Sequence, residues 1–198
     1  MKIIGFVASP RKTGNTAWVV NQILESAKEH GAETQSWYCS DLDKPCRSCY
    51  ACRQGDLHGQ SSKRCLINDN IQKLYDELER ADALILGSPI YMGQMSAQAK
   101  IFNDRLFGSQ LYQPRFHPHF KEENLAKKKL ILVFTQGNPN AEMFRGYFDY
   151  TKQMFQLLGF EVKEVVVVAG MRNELAHERK ELHSLTEKIG LSLVSELP

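Results

Sequence analysis

Two short runs in this chain are apolar at every position, Ala83-Leu84-Ile85-Leu86-Gly87 and Leu130-Ile131-Leu132-Val133-Phe134. A strand with one wet face alternates apolar and polar residues. An unbroken apolar run is instead buried on both faces, the situation of a strand in a parallel sheet covered by helices. Ile3-Ile4-Gly5-Phe6-Val7-Ala8 reads the same way. Glu33 to Tyr38 and Val162 to Val168 complete five expected strands. Helical spacing separates them: Val19, Val20, Ile23, Leu24 and Ala27 share one face, as do Ile71, Leu74, Tyr75 and Leu78. Asp69 and Gln72 are spaced as a capping box for that second helix. Further helices are expected from about Ala97 to Leu106, Glu142 to Leu158 and Glu174 to Leu197, the last with Leu175, Leu182, Leu185, Ile189 and Leu193 inward. Five strands each followed by a helix predict an α/β fold: a doubly wound, five-stranded parallel sheet with right-handed crossovers, order 2-1-3-4-5.

A chain of 198 residues without a Pro/Gly/Ser-rich linker reads as one domain over 1–198, large enough for a real core. A formal net charge of +2 gives no argument for nucleic acid, and Lys127-Lys128-Lys129 reads as the solvated entry to a strand. The N-terminal apolar run ends in Pro10-Arg11-Lys12 and is too short for a signal peptide; no stretch approaches membrane-spanning length. Five cysteines in such a chain point to a reducing cytoplasm and to thiol or metal chemistry.

The strand order places a topological switch point between strands 1 and 3, where such sheets bind ligands beyond the strands' carboxyl ends. The loop after strand 1 is Ser9-Pro10-Arg11-Lys12-Thr13-Gly14-Asn15-Thr16. It aims hydroxyls, backbone N–H groups and a helix N-terminus at one place, an arrangement that binds an anion. Gly14 permits close backbone approach, and Asn15 or Thr16 is able to cap the helix or to donate to an oxygen. An ordinary strand-to-helix connection is the alternative; eight residues with this many donors favour the anion site. The glycines of a P-loop or of a dinucleotide fingerprint are missing, which leaves a terminal phosphomonoester. Across the switch point runs Ser88-Pro89-Ile90-Tyr91-Met92-Gly93-Gln94-Met95-Ser96, able to offer backbone amides and a flat apolar wall to an aromatic ring. Its alternative is a plain turn with Tyr91 packed on the core. Thr135-Gln136-Gly137-Asn138-Pro139 supplies a third rim.

The SPRKTGNT and SPIYMG loops on five strand–helix units resemble the flavodoxin-like NAD(P)H-dependent FMN reductase superfamily. The resemblance covers nearly the whole chain. It implies that Ser9, Arg11, Gly14, Asn15 and Thr16 hold the phosphate of FMN. It further implies that Pro89, Ile90, Tyr91, Met92 and Gly93 line the isoalloxazine, with Gly137 near its far side.

Cys46-x-x-Cys49-x-x-Cys52, then Cys65, lies in an expected insertion at about 39–68, after strand 2. Thiolates at this spacing are ligands for iron–sulfur clusters and zinc. The region resembles the iron–sulfur flavoproteins, a branch of the same superfamily, which implies a [4Fe-4S] cluster on Cys46, Cys49, Cys52 and Cys65. Cys65 departs from the compact family spacing, because the polar stretch Arg53 to Arg64 intervenes. Cluster, reduced free thiols and structural zinc are the three readings of this set. Cys39 lies outside it and reads as a plain buried or edge residue.

By the resemblance, the chemistry belongs to the flavin and no side-chain acid, base or nucleophile is required. None is evident: His117 and His119 lack ligand spacing, His58 reads as a solvated residue of the cysteine insertion, and His30, His177 and His183 read as surface residues on helices. Three functions remain open. The first is an FMN-dependent oxidoreductase with NAD(P)H as co-substrate, or a ferredoxin-like protein as donor, reducing quinone, flavin, nitro or azo compounds. The second is an iron–sulfur flavoprotein carrying electrons between protein partners. The third is a non-enzymatic FMN-binding module with structural zinc. Neither nucleic acid nor membrane is an expected partner. Phe107 to Lys127, with Tyr112, Pro114, Phe116, Pro118 and Phe120, is long for a connector and is expected to pack on a second subunit of a homodimer or homotetramer, or else to form a flap.

Overall fold

The three apolar runs become the three central strands. A computed structural model of the chain describes residues 1–42, 44–53, 65–106 and 128–195. Its strands are β1 (Lys2–Val7), β2 (Glu33–Tyr38), β3 (Ala83–Tyr91), β4 (Gln94–Met95), β5 (Lys129–Thr135) and β6 (Glu161–Val168). Its helices are α1 (Asn15–Glu29), α2 (Ile71–Arg80), α3 (Ala97–Arg105), α4 (Arg145–Leu157) and α5 (Lys180–Ser195). The sheet order is β2-β1-β3-β5-β6, every one of these pairs parallel, with β4 pairing antiparallel to β3 alone. Counting only the parallel strands, this is the expected flavodoxin-like order 2-1-3-4-5. β3 and β5 are buried along almost their whole length, whereas the edge strands β2 and β6 keep exposed polar positions.

Side-chain alternation on each strand feeds two separate cores. One face carries Ile3, Val7, Ile85, Ile131 and Val133 against α1 and α5. The other carries Ile4, Phe6, Leu84, Leu86, Leu132 and Phe134 against α2, α3 and α4, with Phe6 stacked on Phe102 and Phe134 on Phe148. On the α1 side two strand glycines face the helix. A Cβ on Gly5 would lie 2.6 Å from Leu24 Cδ1, and one on Gly87 would lie 2.4 Å from Val20 Cγ2. These missing side chains let α1 approach the sheet closely.

Four local expectations are corrected. β3 does not stop at Gly87: it pairs with β5 through Pro89–Thr135, so Ser88 to Tyr91 is strand rather than loop. Asp69 Oδ1 accepts a hydrogen bond from Ile71 N at 3.2 Å, as a capping residue does, but Gln72 does not reciprocate; its amide donates to Cys65 O. The fourth helix begins at Arg145 because Ala141–Phe144 is a tight 3₁₀ turn, and the last begins at Lys180, after a separate 3₁₀ turn at Ala176–Glu178. The expected subunit contact or flap at Phe107 to Lys127, His58, His117 and His119, and residues 54–64 of the cysteine insertion lie outside the described residues. Among the described residues, no helix is long and apolar enough to cross a membrane.

Candidate functional site

A parallel sheet puts the carboxyl ends of all its strands on one edge, and the register Val7–Gly87 sets the ends of β1 and β3 side by side. Ala8 N donates to Gly87 O at 2.7 Å, continuing the ladder one residue past β1. Ala8 O accepts the Ser96 hydroxyl at 2.6 Å, and Ser9 O accepts the Cys39 thiol at 3.1 Å. The loop after β1 is thereby fixed from both sides. Ser9 is buried, and its Oγ accepts from Arg11 N at 3.3 Å. Gly14 N donates to Arg11 O at 3.3 Å, turning the chain into α1.

Gly14 is the N-cap of α1, and no side chain caps it; the first turn holds no acidic residue. Asn15 and Thr16 therefore do not cap, contrary to expectation. Asn15 Oδ1 instead accepts from Ala176 N at 3.0 Å, tying the loop to the segment after β6. Thr16 Oγ1 shares a buried 2.6 Å hydrogen bond with Thr135 Oγ1 at the end of β5. With these side chains committed elsewhere, the first-turn N–H groups have no side-chain acceptor and keep the positive end of the helix dipole uncompensated. Arg11 is exposed beside them, and the Lys12 ammonium sits 5.4 Å from the centroid of the Tyr38 ring. Ser9, Arg11, Gly14, Asn15 and Thr16 thus share one short loop, whose open donors are backbone N–H groups at a helix start, the chemistry an anion can use.

The facing wall is a hairpin. Ile90 pairs with Met95 and Tyr91 with Gln94, leaving Met92-Gly93 as a two-residue turn. Both turn residues have positive φ, 50° at Met92 and 80° at Gly93, the pattern of a type I′ turn. Left-handed backbone is natural for Gly93 and strained for Met92, whose side chain is fully exposed. Tyr91 is 48% exposed, so it is not packed into the core. Ser88 holds the hairpin base: its Oγ accepts from Ser96 N at 3.0 Å and donates to Pro89 O at 2.9 Å. Tyr147 of α4 steadies the far strand by accepting from Met95 N at 3.2 Å. Tyr91 and Met92 thus stand exposed on a fixed hairpin at the end of β3. Gly137 forms the third rim, where the Arg172 side chain passes 3.0 Å from the place a Cβ would take.

The cysteine segment leaves the same edge, after β2. Cys46 and Cys49 are exposed, Cys52 and Cys65 half-buried, and all are free thiols. Among the described residues no group of three or more His, Cys, Asp or Glu is arranged to hold a metal ion. The thiols nonetheless share one neighbourhood. Burial first, and then repulsion from Cys65, Cys46 and Cys49, pushes the Cys52 thiol up. Ser48 and Tyr50, which alternate with the cysteines, have left-handed backbone at φ 51° and 57°, and Ser48 N donates to Cys46 Sγ at 3.5 Å. Left-handed backbone that turns an N–H toward sulfur, as Ser48 does, is a concavity suited to an anionic group. Four thiols, three of them on one such loop, fit a thiolate-ligated cluster in donor type and number.

Sequence reasoning missed what lies behind these thiols. Arg105, at the end of α3, is buried and forms a two-pronged pair with Asp69, Nη1 to Oδ2 at 2.5 Å and Nη2 to Oδ1 at 2.9 Å. The same guanidinium donates to Lys44 O at 3.0 Å and lies 3.6 Å from Cys65 Sγ. Burial opposes ionisation of Asp69, but Arg105 and the Ile71 N–H outweigh it and hold the carboxyl below its ordinary range. Tyr75, also buried, donates its hydroxyl to Arg105 O at 2.5 Å. The available signal was position: Arg105 falls three residues after Phe102, on the inward face of the helix.

Comparison with known proteins follows this geometry. The model of the family described as NADPH-dependent FMN reductase matches residues 1–174. An iron–sulfur flavoprotein of Methanosarcina thermophila is 39% identical over 106 residues, 53% of this chain and 52% of that protein. An iron–sulfur flavoprotein of Methanocaldococcus jannaschii is 37% identical over 106 residues, 53% of this chain and 51% of its own length. The matched segment spans about half the length of these relatives. Among solved structures, an NAD(P)H:quinone oxidoreductase from Methanothermobacter marburgensis superposes with a TM-score of 0.73 at 16% identity, covering 98% of this chain and 96% of that one. An FMN-dependent NADH-azoreductase from Bacillus anthracis, solved in complex with FMN, gives 0.67 at 15% identity, covering 98% and 99%. At these identities the structures establish the shared fold.

Proposed function

This chain belongs to the NADPH-dependent FMN reductase family, and we propose that it is an FMN-dependent oxidoreductase that also carries a [4Fe-4S] cluster on Cys46, Cys49, Cys52 and Cys65. The observation that carries the flavin reading is the pairing of two loops at the switch point. The uncapped start of α1 after β1 and the exposed Tyr91–Gly93 hairpin after β3 follow neighbouring parallel strands at one sheet edge. In this reading 1–198 is one FMN-binding domain, with the cysteine segment inserted after β2.

Ser9, Arg11, Gly14, Asn15 and Thr16 would hold the FMN phosphate, and Pro89, Ile90, Tyr91, Met92, Gly93 and Gly137 would border the ring. When bound, the flavin supplies two-electron chemistry with a nicotinamide, and a cluster supplies single-electron exchange. The chain's own residues orient and shield. Backbone N–H groups at Asn15 and Thr16 would meet phosphate oxygens, the Ser88–Ser96 hydrogen bond fixes the hairpin, and Tyr91 and Met92 would cover one side of the ring. The electron donor proposed is NAD(P)H or a ferredoxin-like protein; the acceptors are quinone, flavin, nitro or azo compounds. Relatives named iron–sulfur flavoproteins support the cysteine assignment, as do the left-handed backbone at Ser48 and Tyr50 and the Ser48 N–H directed at Cys46 Sγ.

Anaerobic purification followed by an absorption spectrum and iron, sulfide and zinc analysis tests both halves. The expected result is flavin with about four irons per chain. Cys52→Ser and Cys65→Ser should lose iron and keep flavin. Flavin with zinc and no iron would favour a structural metal; protein devoid of flavin under all conditions would overturn the central reading.

A further inference from the structure

We propose that Arg105 is a positioning residue that fixes the cysteine segment against the flavin-facing loops and raises the reduction potential of the group held there. The inference rests on the cluster reading above. The guanidinium is fully buried, an expensive place for a charge unless it has a task. Its contacts are spread over the segment that bears the thiols: Lys44 O, two residues before Cys46; Cys65 Sγ; and both oxygens of Asp69, just before α2. One side chain thus clamps both ends of the cysteine insertion. Its Nε–H is buried without a partner, a donor left over on the side chain that already reaches Cys65.

The other end of α3 is anchored at the candidate flavin site. Ser96 caps the helix by accepting from Ala99 N at 3.1 Å, donates its hydroxyl to Ala8 O, and donates its own N–H to Ser88 Oγ. Nine residues of helix, rising about 1.5 Å each, make α3 a rigid strut of fixed length between the β1 and β3 loops and the cysteines. Arg105 is where that strut grips.

The electrostatic consequence follows from sign. One-electron reduction of a thiolate-ligated cluster adds a negative charge without making or breaking a bond, and a buried cation at sulfur favours the more negative state. Asp69 partly neutralises that cation. Loss of the guanidinium fork should therefore lower the potential, and loss of the Asp69 charge should raise it. Lysine is not an equivalent replacement, because its single ammonium cannot bridge Asp69, Lys44 O and Cys65 together.

The test is a dithionite titration of anaerobically purified protein, followed by low-temperature electron paramagnetic resonance, with iron and flavin content measured on each sample. Arg105→Gln, which removes the cation, should titrate at lower potential than the wild type and release iron to a chelator several-fold faster. Asp69→Asn, which retains an acceptor for Ile71 N, should titrate at higher potential. Opposite shifts with flavin content unchanged support the proposal. Iron-replete variants with unmoved potentials, or shifts of the same sign, overturn it while leaving the cluster reading intact. If Arg105→Gln cannot be purified, Asp69→Asn decides alone: a higher potential supports the proposal, and an unchanged or lower one overturns it. Flavin-loaded wild type without iron overturns the cluster reading, and this inference with it.

Discussion

Gly87→Ala should loosen α1 and weaken flavin binding together. The added Cβ would stand 2.4 Å from Val20 Cγ2 and 3.1 Å from Thr16 Cγ2. Carbon atoms pack comfortably from about 3.5 Å, so Val20 must retreat by about 1 Å. Valine in a helix is confined to one χ1 well, and Thr16 is held by its 2.6 Å bond to Thr135. Rotamer changes cannot absorb the clash, and the N-terminal half of α1 must lift from the sheet. Overpacking of this kind costs about 1–3 kcal/mol, and a lost buried hydrogen bond adds about 1 kcal/mol. For a chain of this size that lowers the melting temperature by roughly 5–15 °C. The helix start would carry its N–H groups away from the phosphate, so the FMN Kd, read by fluorescence quenching, should rise about tenfold, equivalent to about 1.4 kcal/mol. Gly5→Ala is the control: its Cβ meets the flexible tip of Leu24 at 2.6 Å and Val20 Cγ1 at 2.9 Å, further from the helix start. It should destabilise the protein and leave the Kd within about twofold, well under the tenfold step. Wild-type stability in Gly87→Ala would refute the close-packing argument. Lost stability with unchanged FMN affinity would refute the placement of phosphate at α1.

Three further outcomes are expected. Burial holds the Tyr75 phenol protonated beyond its ordinary range, so the folded chain keeps a proton that the unfolded chain releases near pH 10. Its stabilisation is present below that pH and lost above it; Tyr75→Phe should be about 1 kcal/mol less stable at pH 8, and the gap in urea midpoints should close above pH 10. A gap equal at both pH values would count against it. Met92→Gly removes left-handed strain at an exposed position and should raise stability by up to about 1 kcal/mol, while weakening FMN binding; a stabilised variant with unaltered flavin affinity would remove Met92 from the ring wall. Thr16→Val and Thr135→Val should each cost about 1–3 kcal/mol by leaving one buried hydroxyl unpaired, and the double variant less than their sum, as thermal unfolding would show; strict additivity would mean the two hydroxyls are not coupled.

The parallel sheet was legible because burial on both faces leaves a mark in the residues themselves, as in Leu130 to Phe134. The end of β3 was not. Ser88 and Pro89 interrupt the apolar run and look like a loop, yet they continue the strand because β5 extends alongside them to Thr135. That pairing is tertiary and has no local signature. The donors of the β1 loop were legible as a set, but their uses were not. Asn15 and Thr16 have the chemistry of helix caps, and the fold spends them on Ala176 and Thr135 instead. Arg105 was passed over for the reverse reason, because periodicity assigns charges to solvent unless a partner is known. Its partner Asp69 lies 36 residues earlier in the chain.

Topology explains how so short a chain brings an anion loop, a ring wall and a cysteine segment to one edge. Parallel strands all end on the same side, and the registers Val7–Tyr38 and Val7–Gly87 place β1 between β2 and β3. Whatever follows β2 must therefore start next to the loop after β1, and Cys39 donates its thiol to Ser9 O there. Whatever follows β3 must start on the other side, where Ser96 reaches Ala8 O. The cysteine insertion needs no separate domain to stand near the anion loop, because strand order alone delivers its first residue. Strand order cannot return its far end. Cys65 is held there by the buried Arg105–Asp69 pair, so the position of that thiol depends on a charge pair outside the Cys46–Cys52 run.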